Sequence, residues 1–377
     1  MAIVIAPNMD ATTISLIRKE ATRWADAQTL PQEIIELLYS EGAFKLFLPS
    51  RFGGKEYSLE QAAALYADFA EADGSIGWLV QIGAGGGYFL PSFTPEVAER
   101  IFAPRNAVIA GSGYPTGVAR KVPGGYRVTG LWKYASGAQY ATTFTANAQL
   151  EDRVGVRAFA FDRNQVELLA DWDAMGMRAT SSWSFRVEDA FVPDQLSFIV
   201  GEKVWEPGIA VSCVPFLLFA IVSFGAVVIG LARAFFEEAI QALLAVSARE
   251  RLDRLGAFQA MAFDAEREFF EHVRRIEQAS AEVGTKLQGM RMHEGGSTQH
   301  PTQQEQVPTQ PEQVRDELLG VIERIYDRVW DALPWCGMHV VPKEARLNRI
   351  VRDLLVVRQH ELLRRAPVEV PSTDVES

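Results

Sequence analysis

The most informative stretch of the chain reads Gly130-Leu-Trp132-Lys-Tyr134-Ala-Ser136-Gly137-Ala-Gln-Tyr-Ala141. It follows a strand-like run at 126–130 and precedes a second β-favouring run, so Ser136 is predicted to lie where a strand ends. The Ser136 hydroxyl and the backbone N–H groups beside it could bond the polar edge of a flat ring, while Trp132 and Tyr134 cover its apolar face. An ordinary β-hairpin with aromatic core residues would show the same local pattern.

Outward from this stretch, the chain divides into three blocks. Helical periodicity prevails over residues 1–105, as in Ile34-Ile35-x2-Leu38. Strand-like runs separated by Gly, Pro and Asp fill residues 106–203, and long amphipathic helical stretches return over residues 204–377. The sequence therefore predicts an α+β fold with an N-terminal α-helical domain, a central β-barrel or sheet domain and a C-terminal helical bundle.

Two segments of the last block need separate interpretation. Residues 291–314 are dense in Gln, Pro, Thr and Gly, which predicts a flexible loop. The two histidines in this loop, His293 and His300, come without a cysteine or carboxylate cluster, so no metal site is predicted. The apolar run 209–232 is long enough for a membrane span, but its Ser, Cys and Pro residues favour a helix inside a bundle or at a subunit interface.

Composition narrows the function classes. The chain has 377 residues, of which 48% are hydrophobic and 23% charged, as is usual for a globular protein. A formal charge of −11 disfavours nucleic acid and anionic membranes as partners. Two cysteines are too few for a disulfide framework, and the N-terminus lacks the pattern of a signal peptide, so a cytoplasmic location is expected.

Four motifs in order resemble the acyl-CoA dehydrogenase superfamily. They are the turn Phe47-Leu-Pro-Ser-Arg-Phe-Gly-Gly54 with Asp73-Gly-Ser75 after it, the stretch from Ser112 to Gly137, the segment from Trp172 to Pro193, and Arg349-Ile-Val-Arg-Asp353 with His360 seven residues further on. The ending Tyr134-Ala-Ser136-Gly137 is most similar to the flavin-dependent monooxygenase branch, which includes the oxygenase components of two-component aromatic hydroxylases. The resemblance implies the fold, FAD or FMN as cofactor, and assembly into a homodimer or homotetramer.

The resemblance also implies roles for individual residues. Ser136 would bond the flavin near N5, and His360 would supply a hydrogen bond or a proton for the oxygen chemistry. The other residues implied to bind the cofactor are Trp132, Tyr134, Gly137, Arg178, Thr180 and, at the far end of the flavin, Arg249. A histidine flanked by Val and Leu residues is also a common structural residue, so the residue type alone leaves the role of His360 open.

Three functions stay open at this point. The preferred one is a reduced-flavin monooxygenase acting on an aromatic or bulky apolar small molecule. An FAD-dependent acyl-CoA dehydrogenase is the main alternative, because Glu344 stands nine residues before Asp353, where that branch places its base; such a base must be shielded from water. The dehydrogenase Glu-Gly-Thr loop is missing at 359–363. The third possibility is a flavin-free, non-catalytic member of the fold.

Two departures from the family pattern bear on this choice. Gly83 stands where the monooxygenase branch usually has a histidine, which could widen the pocket or mark lost oxygen chemistry; Gln81 and Tyr88 are candidate replacement donors. The segment 249–259 is shorter than the superfamily's Arg-containing segment that binds the diphosphate of a neighbouring subunit's FAD. A shortened segment would suit a protein that takes reduced flavin from a separate reductase, and it could equally mark weak flavin binding.

Overall fold

The N-terminal part of the chain is helical. The computed structural model describes residues 11–152, 154–293 and 311–365. The first five helices are α1 Ala11–Glu20, α2 Gln32–Ser40, α3 Leu59–Ala72, α4 Gly74–Gly85 and α5 Pro95–Phe102. Side chains fix three of the helix starts: Ser58 forms a capping box with Gln61, and Asp73 and Thr94 accept from backbone N–H groups of α4 and α5.

A seven-stranded sheet follows the helices. Its strands are β1 Ile109–Val122, β2 Gly125–Ala135, β3 Thr143–Leu150, β4 Val156–Asp162, β5 Glu167–Leu169, β6 Trp183–Pro193 and β7 Ser197–Phe198, in the order β5-β6-β2-β1-β3-β4-β7. The β1–β3 pair is parallel and the other pairs are antiparallel. β1 and β2 form a hairpin that turns at Gly124, whose φ of 79° suits glycine. As predicted, β2 ends directly before Ser136.

The C-terminal part is a bundle around one apolar helix. Its helices are α6 Phe216–Leu244, α7 Arg249–His293, α8 Pro311–Ala332 and α9 Arg346–Val357. α6 is long and apolar enough to cross a membrane by length and composition, but 83% of its most apolar window is buried inside the protein. A Cβ at Gly225 would lie 2.7 Å from Ile322 and Phe269, and one at Gly230 would lie 2.1 Å from the carbonyl oxygen of Ala67. These glycines therefore let α3, α7 and α8 approach α6 closely.

The predicted loop 291–314 is helical at both ends. α7 continues to His293, and the described part of α8 starts at Pro311. The rest of the predicted loop, including His300, lies outside the described residues.

Candidate active site

Four polar side chains meet where β2, α4 and residues 175–182 come together; these residues are called the turn before β6. Trp78 of α4 donates its indole N–H to the Ser136 hydroxyl at 2.9 Å. Ser136 Oγ lies 2.7 Å from Ser182 Oγ, which lies 2.7 Å from Thr180 Oγ1, and Thr180 donates to the carbonyl of Met177 at 2.8 Å. All four side chains are at least nine-tenths buried. The hydroxyls of Ser136, Ser182 and Thr180 thus form a buried row, called the hydroxyl row. A protein core keeps such polar groups only when each of them is hydrogen-bonded.

The backbone around this row is strained. Tyr134, Met177 and Ser181 have φ values of 65°, 51° and 46°, a region that side-chain-bearing residues seldom occupy. Gly137, with φ of 78°, donates its N–H to the carbonyl of Thr180 at 2.8 Å and so ties the turn after β2 to the turn before β6. Strained backbone of this kind persists where the surroundings hold it, and it clusters at functional sites.

His360 is a second neighbour of Trp78. It follows α9, and its ring centroid is 4.2 Å from that of Phe224 and 5.8 Å from that of Trp78. The Leu362 backbone N–H donates to His360 Nδ1 at 3.3 Å, which places the ring proton of the neutral imidazole on Nε2. Burial lowers the pKa of His360 to about 4. At neutral pH His360 is therefore an uncharged hydrogen-bond donor through Nε2.

The Arg-Asp pair of α9 holds the turn before β6. Asp353 accepts the backbone N–H of Met177 at 2.5 Å, and Arg352 donates to the carbonyl of Met175 at 2.7 Å. A Cβ at Gly176 would come within 2.4 Å of the Arg352 backbone, so the two segments touch through glycine. Burial, with a contribution from the nearby charge of Asp73, raises the pKa of Asp353 to about 7. Two of the sequence motifs are thus joined directly in space.

Trp132 is placed differently from the prediction. It is fully buried inside the β-domain, its ring centroid is 5.3 Å from that of Phe185, and its indole N–H donates to the Asn147 carbonyl at 2.8 Å. The reason is an irregularity of β2 between Trp132 and Ala135, where the positive φ of Tyr134 reverses the alternation of faces. Trp132 is therefore a core residue, while Tyr134 turns outward, 63% exposed, with its ring centroid 6.2 Å from that of Trp172.

Within the part of the chain that the structure describes, the charged candidates make no hydrogen bond to the three hydroxyls; they bond other groups or are exposed. Arg178 fixes its own turn by donating to Asp173 and to the carbonyl of Ala174. Arg249 is exposed at the start of α7, on a different element from those that carry Ser136 and His360. Glu344 is exposed in the turn before α9, so water is not excluded from its carboxylate. A base of the dehydrogenase type requires that exclusion.

Gly83, the position on α4 where the monooxygenase branch usually has a histidine, packs against Phe44. A Cβ at Gly83 would lie 2.4 Å from the Phe44 ring, so the missing histidine side chain leaves no wider pocket. Of the two candidate replacement donors, Tyr88 donates to the carbonyl of Val214 at 2.8 Å. Gln81 is 2% exposed, and its Nε2 has no partner among the described residues. Gln81 is therefore the better placed candidate for a donor to a bound molecule.

Sequence reasoning missed three residues of this site. Trp78, Phe224 and Ser182 were not among the predicted site residues, although Trp78 follows Ser75 closely and Ser182 ends the Thr180-Ser-Ser182 run. Polar residue types next to a predicted one could have pointed to Ser182. Phe224 carried no signal, because it is one of many apolar residues of α6.

Comparisons with known proteins connect this geometry with a group of enzymes. No family model matches the chain. Indole-3-acetate monooxygenase from Pseudomonas putida is 29% identical over 214 residues, which are 55% of this chain and 54% of the relative. The flavin-dependent monooxygenase oxygenase subunit HsaA from Mycobacterium tuberculosis is 31% identical over 185 residues, 47% of this chain and 46% of the relative. The chain is related to flavin-dependent monooxygenases. It spans about half the length of the relatives that it matches in sequence.

Solved structures extend the likeness of fold to almost the whole chain. The crystal structure of the HsaA monooxygenase from M. tuberculosis superposes with a TM-score of 0.77 at 20% identity, covering 93% of this chain and 90% of that one. TdsC from Paenibacillus sp. A11-2, solved with FMN and indole, gives a TM-score of 0.69 at 18% identity, with 92% and 90% covered. The resemblance to the acyl-CoA dehydrogenase-like monooxygenases, predicted from the motifs, is confirmed.

Proposed function

We propose that the chain is the oxygenase component of a flavin-dependent monooxygenase, which takes reduced FMN or FAD from a separate reductase and oxygenates an aromatic or bulky apolar small molecule. The observation that carries the proposal is that Ser136 and His360 are both neighbours of Trp78, Ser136 through a hydrogen bond and His360 through a ring contact. The names of the relatives, one of them a flavin-dependent oxygenase subunit, support the same function.

The residues present fit a flavin in their donor and acceptor types. Ser136 offers a hydroxyl oxygen to a polar ring edge, and the outward ring of Tyr134 offers a flat apolar face next to it. His360 offers a neutral N–H donor, whose proton is held on Nε2 by the backbone of Leu362. A bound reduced flavin supplies the two electrons with which dioxygen is split, so that one oxygen atom enters the substrate and the other leaves as water.

Two features favour this function over the dehydrogenase. Glu344 is exposed, so water reaches its carboxylate, whereas a base that removes a proton from carbon requires water to be excluded. His360, by contrast, is largely withdrawn from water and uncharged, which suits a donor that must not lose its proton to solvent. The dehydrogenase function would require Glu344 to be covered by another chain or by the substrate.

The substrate is proposed to carry a hydrogen-bond acceptor on an apolar framework. Trp78 and Phe224 stack with ring centroids 5.1 Å apart and give the site aromatic walls. The buried Nε2 of Gln81, on the same helix as Trp78, would donate to an oxygen of the substrate. A buried donor without a partner costs stability, so a bound acceptor would offset that cost.

Oligomerisation and location are also proposed. We expect a homodimer or homotetramer, because apolar side chains stay exposed: Val246 between α6 and α7, and Met261 and Phe263 further along α7. We expect a cytoplasmic location because the chain has only two cysteines. Light scattering on the full chain would measure the mass directly. A monomer at micromolar concentration would contradict this part of the proposal.

The proposal is tested by anaerobic titration of the purified protein with reduced FMN and reduced FAD. We expect binding of at least one reduced flavin, and substrate-dependent oxygen incorporation when a reductase and NADH are added. Reduction of bound FAD by an acyl-CoA without a reductase would instead establish the dehydrogenase. A protein that purifies colourless and binds neither flavin in either redox state would be the non-catalytic member of the fold.

A further inference from the structure

The hydroxyl row has two ends with fixed roles. At one end the Trp78 indole N–H can only donate, and it donates to Ser136. At the other end the carbonyl of Met177 can only accept, and it accepts from Thr180. The two bonds between these ends, Ser136 to Ser182 and Ser182 to Thr180, are both 2.7 Å long and join hydroxyls that could donate in either direction.

The proton count determines both directions. Each hydroxyl carries one proton, and Thr180 gives its proton to Met177, so Thr180 must accept from Ser182. The Ser182 proton is then committed to Thr180, so Ser182 must accept from Ser136. The Ser136 proton therefore points at Ser182. Toward any other neighbour, Ser136 can act only as a hydrogen-bond acceptor.

We propose that Ser182 and Thr180 are positioning residues that make Ser136 an acceptor toward the flavin, and that they thereby give the site a preference for reduced over oxidised flavin. The inference rests on the proposed function, since it takes the N5 edge of the flavin as the neighbour of Ser136. Reduced flavin carries a proton on N5 and donates, whereas oxidised flavin carries only a lone pair there. An acceptor at Ser136 suits the reduced form and repels the oxidised one.

This preference suits an oxygenase that exchanges its flavin with a reductase. Such a protein must capture the reduced form and release the oxidised form after each turnover. Burial fixes the donor directions along the hydroxyl row, because water that could supply an alternative partner to Ser182 or Thr180 is excluded.

The test compares dissociation constants of oxidised and reduced FMN in matched variants. In Ser182→Ala the Ser136 proton loses its acceptor and can turn to N5 of oxidised flavin. We expect the affinity for oxidised FMN to rise about five- to tenfold relative to that for reduced FMN, the worth of one hydrogen bond. Thr180→Val should shift the ratio in the same direction, because Ser182 is then free to donate back to Ser136. Thr180→Ser keeps a hydroxyl at this position, so its ratio of affinities for oxidised and reduced FMN should equal that of the parent.

The control is Ser212→Ala, which removes a buried serine whose hydroxyl donates to the carbonyl of Ile209, outside the row. It should leave the ratio unchanged. A ratio within twofold of the parent in both Ser182→Ala and Thr180→Val, with flavin still bound, would overturn the inference but not the proposed function. Absence of binding to the parent protein in either redox state would overturn both. If Ser182→Ala does not fold, the Thr180→Val and Thr180→Ser pair decides.

Discussion

Replacing Gly176 by alanine should separate the turn before β6 from α9. The added Cβ would lie 2.4 Å from the Arg352 carbonyl carbon and oxygen and 2.7 Å from the Asp353 nitrogen. These are backbone atoms of a helix, so they cannot swing aside as a side chain can. Ordinary contact begins near 3.4 Å, and the two segments must move apart by about 1 Å.

That movement lengthens, and so weakens, two hydrogen bonds to ionisable groups. The bonds from Arg352 to Met175 and from Met177 to Asp353, at 2.7 and 2.5 Å, would both stretch toward the limit of hydrogen bonding. Bonds to charged groups contribute about 1.5–3 kcal/mol each, and Asp353 is only partly ionised at pH 7, so we expect a loss of about 3 kcal/mol in the free energy of unfolding.

Equilibrium urea unfolding, followed by tryptophan fluorescence, measures this loss. The matched control is Gly256→Ala, because Gly256 lies exposed on α7 with nothing within 4 Å of an added Cβ. Alanine is the better helix former, so the control should be as stable as the parent or more stable by up to about 1 kcal/mol. A Gly176→Ala protein within about 0.5 kcal/mol of the parent, binding reduced flavin normally, would refute the argument that these segments are joined through the glycine.

Three further predictions concern the buried polar groups. Asp353 has a folded-state pKa of about 7, so the parent protein loses stability as the pH rises from 5 to 7. Asp353→Asn should abolish that loss, so that the free energy of unfolding of the variant relative to the parent rises by about 2–3 kcal/mol between unfolding measurements at pH 5 and at pH 7. The pKa of His360 is lowered to about 4, so its effect on stability is opposite to that of Asp353: the protein loses stability on acidification from pH 6.5 to 4. His360→Asn should remove up to about 3 kcal/mol of that loss, measured by acid denaturation. Gln81→Met removes an unpartnered buried amide, so it should stabilise the protein by about 1 kcal/mol in thermal unfolding and weaken substrate binding in calorimetric titration. An unchanged pH slope in Asp353→Asn, an unchanged acid sensitivity in His360→Asn or an unchanged substrate affinity in Gln81→Met would contradict the respective prediction.

The overall architecture could be predicted from the sequence because it depends on periodicity and on local turns. The break at Ser136 follows from a β-run ending in Ser-Gly, and the hairpin at Gly124 from a Gly-Gly pair. The orientation of Trp132 could not be predicted. Strand alternation puts residues 132 and 134 on one face, and only the positive φ of Tyr134 separates them.

The site itself depends on contacts across the whole chain, which local patterns do not encode. Ser136 and His360 were predicted individually, from a resemblance, but their common neighbour Trp78 was not. The aromatic ring of Phe224, which packs on both Trp78 and His360, belongs to a helix that is apolar on all sides. Nothing in such a helix distinguishes a residue that lines a site from one that fills a core.

The order in which the ribosome makes this chain determines when the Asp353–Met177 bond can form. Met177, in the turn that carries Thr180 and Ser182, is synthesised 176 residues before Asp353. Contacts within the β-domain hold this turn from one side, and α9 adds the bonds to Met175 and Met177 from the other. A nascent chain can therefore form its β-domain early, but the contact that fastens this turn to α9 forms only after α9 has been synthesised, and a chain cut between the β-domain and α9 would lack it.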